Sequence, residues 1–247
     1  MISITYNVGG WSGWPRNSLK KLSSIEIGKL FANALKKYKP DIITFSEASP
    51  CSIINVIANE LDMEVVIFPS SWCWPGVLLT KYKVLESRGF SLDKKYWSRD
   101  LFTRHWGRCI IETEFGKIIL HSLHLYPDPN SKIHEEENIE FLRFLRNDIK
   151  TGLPILVQGD LNHEPFHKIH NTWLKMNLID TFVKVGLGDG NTYKSDDPKS
   201  RIDYIFVYGI LTKHLVMCRV LNEVPFKLDK RIKYALSDHL PVMAIFK

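Results

Sequence analysis

The sequence predicts an α/β fold on three observations. Short β-rich runs alternate with helical stretches along the chain. The clearest helical stretches carry an apolar stripe at a 3.6-residue period. Polar residues recur at the tails of the apolar runs, and strand ends in an α/β sheet gather at the edge where ligands bind.

Ile2–Asn7 is the first predicted strand, with Gly9-Gly10 just beyond it. Residues 23–38 predict a helix. Ile27, Leu30, Phe31, Ala34, Leu35 and Tyr38 fall on one stripe, Ser23 and Glu26 fit a capping box, and Pro40 ends the element. Residues 41–46 predict a buried strand. Ser49-Pro50 then fits an N-cap and N1 proline, ahead of a second stripe of Ile53, Ile54, Ile57 and Leu61. Residues 64–69, Gly76–Thr80 and 83–90 predict three more strands. The stretch 70–108 holds Trp72, Trp74, Trp97 and Trp106 among turn-prone residues. Residues 117–125 predict a strand. Residues 133–150 predict a helix, whose early glutamates (Glu135, Glu136, Glu137) and later cations (Arg143, Arg146, Lys150) complement its dipole. Residues 155–159 predict a strand, 164–176 a helix, and 201–207 and 241–246 the last strands. No repeat, low-complexity tract or linker interrupts the pattern, which predicts one domain over residues 1–247.

Composition narrows the function. The 247 residues are 45% apolar, 24% charged and 12% aromatic, which excludes a disordered chain and a collagen-like or coiled-coil rod. No apolar run approaches the roughly 18–20 residues that cross a bilayer. The net charge of +6 favours a polyanionic partner without requiring one. Cys51, Cys73, Cys109 and Cys218 form no CxxC pair, and the N-terminus lacks the basic and apolar regions of a signal peptide. The expectation is a cytoplasmic or nuclear protein with free, mostly buried thiols.

The strand ends hold the chemistry. Asn7, Glu47, His124, Asp160 with Asn162, Asp203, and Asp238-His239 occupy six such places. One carboxylate at the tail of an apolar run is a cap or turn residue; six polar clusters imply a common site, because a buried carboxylate is costly alone. Oxygen donors of this kind suit Mg²⁺ or Mn²⁺ rather than zinc, and Mg²⁺ takes only one or two of the carboxylates. Histidines beside such an ion point to hydrolysis of a phosphate ester.

These residues sit in motifs that resemble the endonuclease/exonuclease/phosphatase superfamily, the group of deoxyribonuclease I, exonuclease III-type enzymes, neutral sphingomyelinases and inositol polyphosphate 5-phosphatases. The matching segments are Ile4-Thr5-Tyr6-Asn7-Val8-Gly9, Asp41-Ile42-Ile43-Thr44-Phe45-Ser46-Glu47, Gly76-Val77-Leu78-Leu79, Ser122-Leu123-His124-Leu125, Gly159-Asp160-Leu161-Asn162, Ser200-Arg201-Ile202-Asp203-Tyr204-Ile205 and Ser237-Asp238-His239-Leu240-Pro241-Val242, in the family's order. The resemblance implies a four-layer sandwich of two packed sheets flanked by helices. It implies Glu47 as the principal metal ligand, supported by Asn7 and Asp238. Asp160 and Asn162 would position the water and the phosphate, His239 oriented by Asp203 would act as base or phosphate-polarising group, and His124 would contact the phosphate. Four departures stand out. Ser46 replaces the usual Gln, Ala48-Ser49-Pro50 lacks the lysine of abasic-site endonucleases, His163-Glu164 replaces the Tyr-Arg pair of 5-phosphatases, and Leu123 replaces a threonine.

The implied activity is metal-dependent phosphodiester hydrolysis with nucleic acid as the expected substrate. The alternatives are a phospholipid phosphodiesterase acting at a membrane, a small-phosphoester phosphatase, and a non-catalytic binding module on the same fold. Trp11 and Trp14, close behind Asn7, are expected near the metal edge, where tryptophans either pack, stack on bases or enter a lipid interface. Lys227, Lys230, Arg231 and Lys233 form a basic segment before Asp238. His121, three residues before His124, is expected on the other side of its strand. His163, His167 and His170 share helical spacing that zinc could use, but with Pro165 starting the helix they are expected to be surface residues.

Overall fold

The central strands of both sheets are buried on both faces, so each sheet must be covered twice. The computed structural model describes residues 1–49, 51–89, 102–228 and 231–247. The elements run β1 (Ile2–Asn7), α1 (Ser24–Lys36), β2 (Ile42–Ser46), α2 (Cys51–Leu61), β3 (Glu64–Phe68), β4 (Gly76–Thr80), β5 (Lys83–Gly89), β6 (His105–Thr113), β7 (Gly116–His124), α3 (Lys132–Ile149), β8 (Ile155–Asp160), α4 (Lys168–Leu174), β9 (Ile179–Asp180), α5 (Thr181–Val185), β10 (Gly186–Leu187), β11 (Asp203–Tyr208), α6 (Leu211–His214), β12 (Leu215–Val220) and β13 (Val242–Phe246).

The first sheet has the order β10-β12-β13-β1-β2-β4-β3, and the second β5-β6-β7-β8-β11-β9. Both are mixed. β1 pairs parallel with β2 and β7 parallel with β8, while β8–β11 and β1–β13 are antiparallel. Helices α1 and α2 cover the first sheet, burying Phe31, Leu35, Ile53 and Ile57. Helices α3 and α4 cover the second, where Phe141, Leu145 and Trp173 pack on Ile119, Ile155 and Val157. The result is the four-layer α/β sandwich that the sequence implied.

The local signals account for most elements. Ser23 and Glu26 form both halves of the capping box on α1. Ser131 caps α3 through His134 N–H. Gly159 sits at φ +150°, and a Cβ there would lie 1.8 Å from the Leu123 carbonyl oxygen, so no side chain fits where β8 approaches β7.

Several expectations change. β6 and β12 lie where no strand was predicted. The helix expected over 164–176 covers only Lys168–Leu174, with His167 as its N-cap rather than Pro165 as its first residue. β11 begins at Asp203, so this residue opens the strand instead of lying inside it. All four cysteines are free, but Cys51 and Cys73 are exposed. Pro50, Phe90, Trp97 and Lys230 lie outside the described residues. No helix among the described residues is long and apolar enough to cross a membrane.

A buried polar ladder joins the sheets. Ser3 Oγ donates to Gln158 Oε1 at 2.6 Å, and Gln158 Nε2 donates to the Ile4 carbonyl at 3.1 Å and to Thr44 Oγ1 at 2.9 Å. Thr44 passes its own proton to Thr5 at 3.1 Å. Side chains two residues apart share a strand face. The ladder therefore points the next residues of the same faces, Asn7 on β1 and Asp160 on β8, toward each other.

Candidate active site

The strand register sets a row of side chains across the second sheet. His105 of β6 lies opposite His124 of β7, His124 opposite Asp160 of β8, and Asp160 opposite Asp203 of β11. Asn7 ends β1 on the facing sheet, beside Ser46, and Glu47 follows β2 directly. Glu47 has φ +59°, a left-handed conformation that costs a non-glycine residue about 1–3 kcal/mol. Asn162 has φ +51°, which asparagine tolerates better.

These residues converge. Asn7 Nδ2 donates to Asp160 Oδ2 at 2.9 Å and approaches Glu47 Oε1 at 3.4 Å. Its Oδ1 accepts from Gly9 N–H at 3.0 Å, so its amide face, rather than its oxygen, meets the two carboxylates. His124 Nε2 lies 3.5 Å from Asp160 Oδ2 and 3.9 Å from Glu47 Oε1. His239 Nδ1 donates to Asp203 Oδ2 at 2.9 Å, and its Nε2 lies 3.8 Å from Asp160 Oδ2. Asn162 N–H donates to Asp160 Oδ1 at 3.0 Å, while its side-chain amide donates to the Leu125 carbonyl at 2.9 Å. Ser237 anchors the last segment: its hydroxyl donates to the Asn7 carbonyl at 2.7 Å and lies 3.2 Å from Asp238 Oδ1. The eight residues singled out from the sequence thus lie around one locus.

Electrostatics at this locus are dominated by acid. Burial, and then the charge of Asp203, push the Asp160 carboxyl up to about 7. Burial also raises Glu47. Burial opposes the charge on His239, but Asp203, Asp160 and Asp238 outweigh it and raise the ring to about 10. His124 goes the other way: burial, then His105, Arg104 and His239, hold it well below its ordinary value, so it is neutral. One imidazolium faces four nearby carboxyl groups.

That imbalance fits a divalent cation. Asp160, Asp203 and His239 carry ligand atoms within 4.8 Å of one another, and Asp203 Oδ1 is buried without a hydrogen-bond partner. His239 is a poor member of such a set, because Asp203 holds it protonated. Buried oxygen donors of this kind are the chemistry that hard cations take.

Sequence reading missed Arg104 and Tyr193. Arg104, just before β6, is surrounded by the rings of Trp72, Trp74 and Tyr126, with its guanidinium carbon 5.9, 5.8 and 5.7 Å from their centroids. Its charge reaches both Glu47 and His124. The Tyr193 ring packs 4.9 Å from that of His239. Neither position carries a spacing signal. Trp14 lies 5.4 Å beneath Lys194 Nζ, and its backbone pairs with Ala235, at the end of the basic segment. Trp11, expected at the metal edge, is instead buried against Phe31 and Phe45. Trp106 is likewise packed, and among the described tryptophans only Trp72 is strongly exposed, at 53%. His121 turns away from His124 as expected, toward Asp148 at 3.0 Å and the Trp106 indole at 3.2 Å.

The model of the endonuclease/exonuclease/phosphatase family matches residues 4–239. The chain belongs to this family. A protein described as uncharacterized, L388 of Acanthamoeba polyphaga mimivirus, is 26% identical over 259 residues, covering 88% of this chain and 90% of that protein. Among solved structures, the mannosyl-6-phosphatase Bt3783 of Bacteroides thetaiotaomicron superposes with a TM-score of 0.78 at 17% identity, covering 100% of this chain and 99% of that one. A humanized D. rerio TDP2 superposes with a TM-score of 0.71 at 17% identity, covering 100% and 98%. A family protein from Leptotrichia buccalis gives 0.72 at 18%, covering 100% and 99%. At such identities these structures share the fold. Membership of the family supports phosphoester hydrolysis as the chain's chemistry.

Proposed function

We propose that the protein is a Mg²⁺- or Mn²⁺-dependent phosphodiesterase acting on nucleic acid. The observation that carries the substrate class is the Arg104 guanidinium set among Trp72, Trp74 and Tyr126 beside Glu47. A cation among aromatic faces fits a phosphate flanked by a base, since rings stack on any base and the cation neutralises the backbone. Trp14 and Lys194 offer a second such pairing near Tyr193 and His239.

In this reading Glu47 and Asp238 would hold the cation, and Asn7, whose amide meets both Glu47 and Asp160, supports the site from the first sheet. When bound, the cation stabilises charge on the phosphate oxygens. His239 keeps its proton, and Asp203 fixes the ring so that Nε2–H meets a non-bridging phosphate oxygen. Asp160 is held by Asn7 and by the Asn162 N–H, with Oδ2 turned into the site. It orients the attacking water and takes its proton. The water oxygen bonds to phosphorus as the ester P–O bond breaks. His124, neutral and 3.5 Å from Asp160, contacts the phosphate on the leaving side.

A panel of single- and double-stranded DNA, RNA, sphingomyelin vesicles and sugar phosphates, each with Mg²⁺, Mn²⁺ or EDTA, tests the reading. Turnover of a nucleic acid that falls steeply with added salt is expected. Turnover confined to sugar phosphates, the substrate class in the name of Bt3783, replaces the nuclease reading with a phosphatase one. Turnover confined to vesicles replaces it with a lipid one.

A further inference from the structure

The pair of His239 and Asp203 spans two sheets. Asp203 opens β11 in the second sheet, while His239 lies just before β13 in the first. No strand ladder therefore registers one against the other. Yet Nδ1 meets Oδ2 at 2.9 Å between residues that are 6% and 1% exposed. A functional hydrogen bond placed this closely across a gap between sheets needs both backbones held by neighbouring groups. The segment between β10 and β11 holds them.

Thr192 touches both sides of the gap. Its hydroxyl oxygen accepts from the Ile202 and Asp203 N–H groups at 3.3 Å each. Its carbonyl accepts from the N–H of Leu240, next to His239, at 2.8 Å. Ser195 adds a second fastening on the His239 side. Its N–H donates to the Asp238 carbonyl and its hydroxyl to the Ser237 carbonyl, each at 2.7 Å. Both residues are 0% exposed, so water does not compete for these bonds. Between them, Tyr193 bridges through its backbone to Ser200 and to His239, and its ring lies 4.9 Å from the imidazole at a tilt of 46°. Ser237, held by Ser195, donates in turn to the Asn7 carbonyl at 2.7 Å. The segment is a strap that ties the start of β11 to the His239 turn, and that turn to the end of β1.

From these contacts we infer that Thr192 and Ser195 are positioning residues for the His239–Asp203 pair, with Thr192 setting both of its ends. The Thr192 hydroxyl uses both lone pairs on N–H groups at the start of β11, which fixes where the Asp203 carboxylate begins. The carbonyl of the same residue fixes the peptide that follows His239. Ser195 holds the two residues before the ring. A strap that only held its own loop down would change stability and leave the ring in place. A strap that sets the ring changes rate out of proportion to stability, because a misplacement of about 1 Å at a reacting group costs about 10²-fold. The consequence for rate rests on the hydrolytic role proposed for His239. The consequence for ring placement stands on geometry alone.

Thr192→Val in the full chain tests the strap, since it keeps the side chain's shape and removes the acceptor. With Mg²⁺ and a labelled oligonucleotide, kcat is expected to fall about 10- to 100-fold while KM stays within about twofold of wild type. Thr192→Ser restores the hydroxyl and should recover most of kcat. Proton NMR in the presence of Mg²⁺ reads ring placement without any substrate. The Nδ1–H resonance of His239, identified by its disappearance in His239→Ala, should be sharp in wild type and Thr192→Ser, and broadened or lost in Thr192→Val. Should Thr192→Val not fold, Ser195→Ala, which frees only the Ser237 carbonyl, is read for the same changes. Lys199→Ala, in the exposed Asp197–Lys199 pair of the same segment, should change neither readout. Native kcat with an unchanged Nδ1–H resonance in the folded variant overturns the inference, as does a loss of kcat that Thr192→Ser fails to recover. A wild-type chain that hydrolyses nothing, with the resonance still lost in Thr192→Val, defeats the hydrolytic reading and supports the strap.

Discussion

Asn7 donates its side-chain amide to Asp160 across the gap between the two sheets, at 2.9 Å and 153 positions apart in sequence. This bond closes the site, since the first sheet brings Asn7 at the end of β1 and Glu47 just after β2, and the second brings His124 of β7, Asp160 of β8 and Asp203 of β11. Under it runs the ladder of Ser3, Gln158, Thr44 and Thr5, all buried. The facing sheets are thus aligned by hydrogen bonds one turn of the pleat below the chemistry.

Gln158→Leu removes the centre of that ladder and strands Ser3 and the Ile4 carbonyl. It is expected to cost about 1–3 kcal/mol in urea unfolding. Hydrolysis should fall as well, because Asp160 loses its registration against Asn7. A variant with native stability and native turnover would remove the ladder from the account of the site.

Asp160→Ala and Asp203→Asn separate chemistry from folding. Each is expected to reduce turnover by about 10³-fold or more, by analogy with loss of a base or of the carboxylate that orients a histidine. Circular dichroism should remain native. In Asp203→Asn the His239 ring also loses its main source of positive charge stabilisation, and its proton should leave at lower pH, as followed by imidazole NMR.

Arg104→Ala should raise KM for a nucleic-acid substrate more than it changes kcat. The slope of log affinity against log salt should flatten by about one phosphate contact. Trp72→Ala should raise KM without changing that slope, because stacking is not a counterion effect. An unchanged salt slope in Arg104→Ala contradicts its assignment to the substrate backbone.

Acid stability rests on a second cluster, away from the site. Burial alone would raise Asp148, but His121 and Arg108 hold it down to about 2. A carboxyl lowered on folding stabilises above its ordinary value, 3.8, and that contribution is lost as pH falls through about 2. Asp148→Asn should therefore lower stability near neutral pH by about 3 kcal/mol, having broken a largely buried pair. It should also flatten the fall in stability between about pH 4 and 2. Urea titrations across that range measure both.

Much of this was legible in the sequence because polar residues at the ends of apolar strands are costly unless shared. Asn7, Glu47, Asp160 and Asp203 stood out for that reason, and the Ser23–Glu26 box and the α1 stripe are local signals that tertiary packing preserved. What was hidden depends on distant partners. Ile2–Asn7 alternates as a half-exposed strand would, yet Ser3 and Thr5 are buried because Gln158 and Thr44, more than 35 positions away, satisfy them. β6 was obscured by the tryptophans and turn-prone residues around it; its Gly107 makes room for the Phe68 ring. His163 looked like a surface residue because a polar ring gives no sign that Leu161 and Tyr204 enclose it. Arg104 sits at no motif position and is found only by the rings around it.

Cleavage of a labelled oligonucleotide by the purified chain in Mg²⁺, Mn²⁺ and EDTA, beside His239→Ala, is the most direct measurement. Cleavage that needs the divalent ion and falls by orders of magnitude in a folded His239→Ala is expected. Cleavage that survives EDTA, or that His239→Ala carries out at the wild-type rate, would contradict hydrolysis at the Glu47–Asp160–His239 locus.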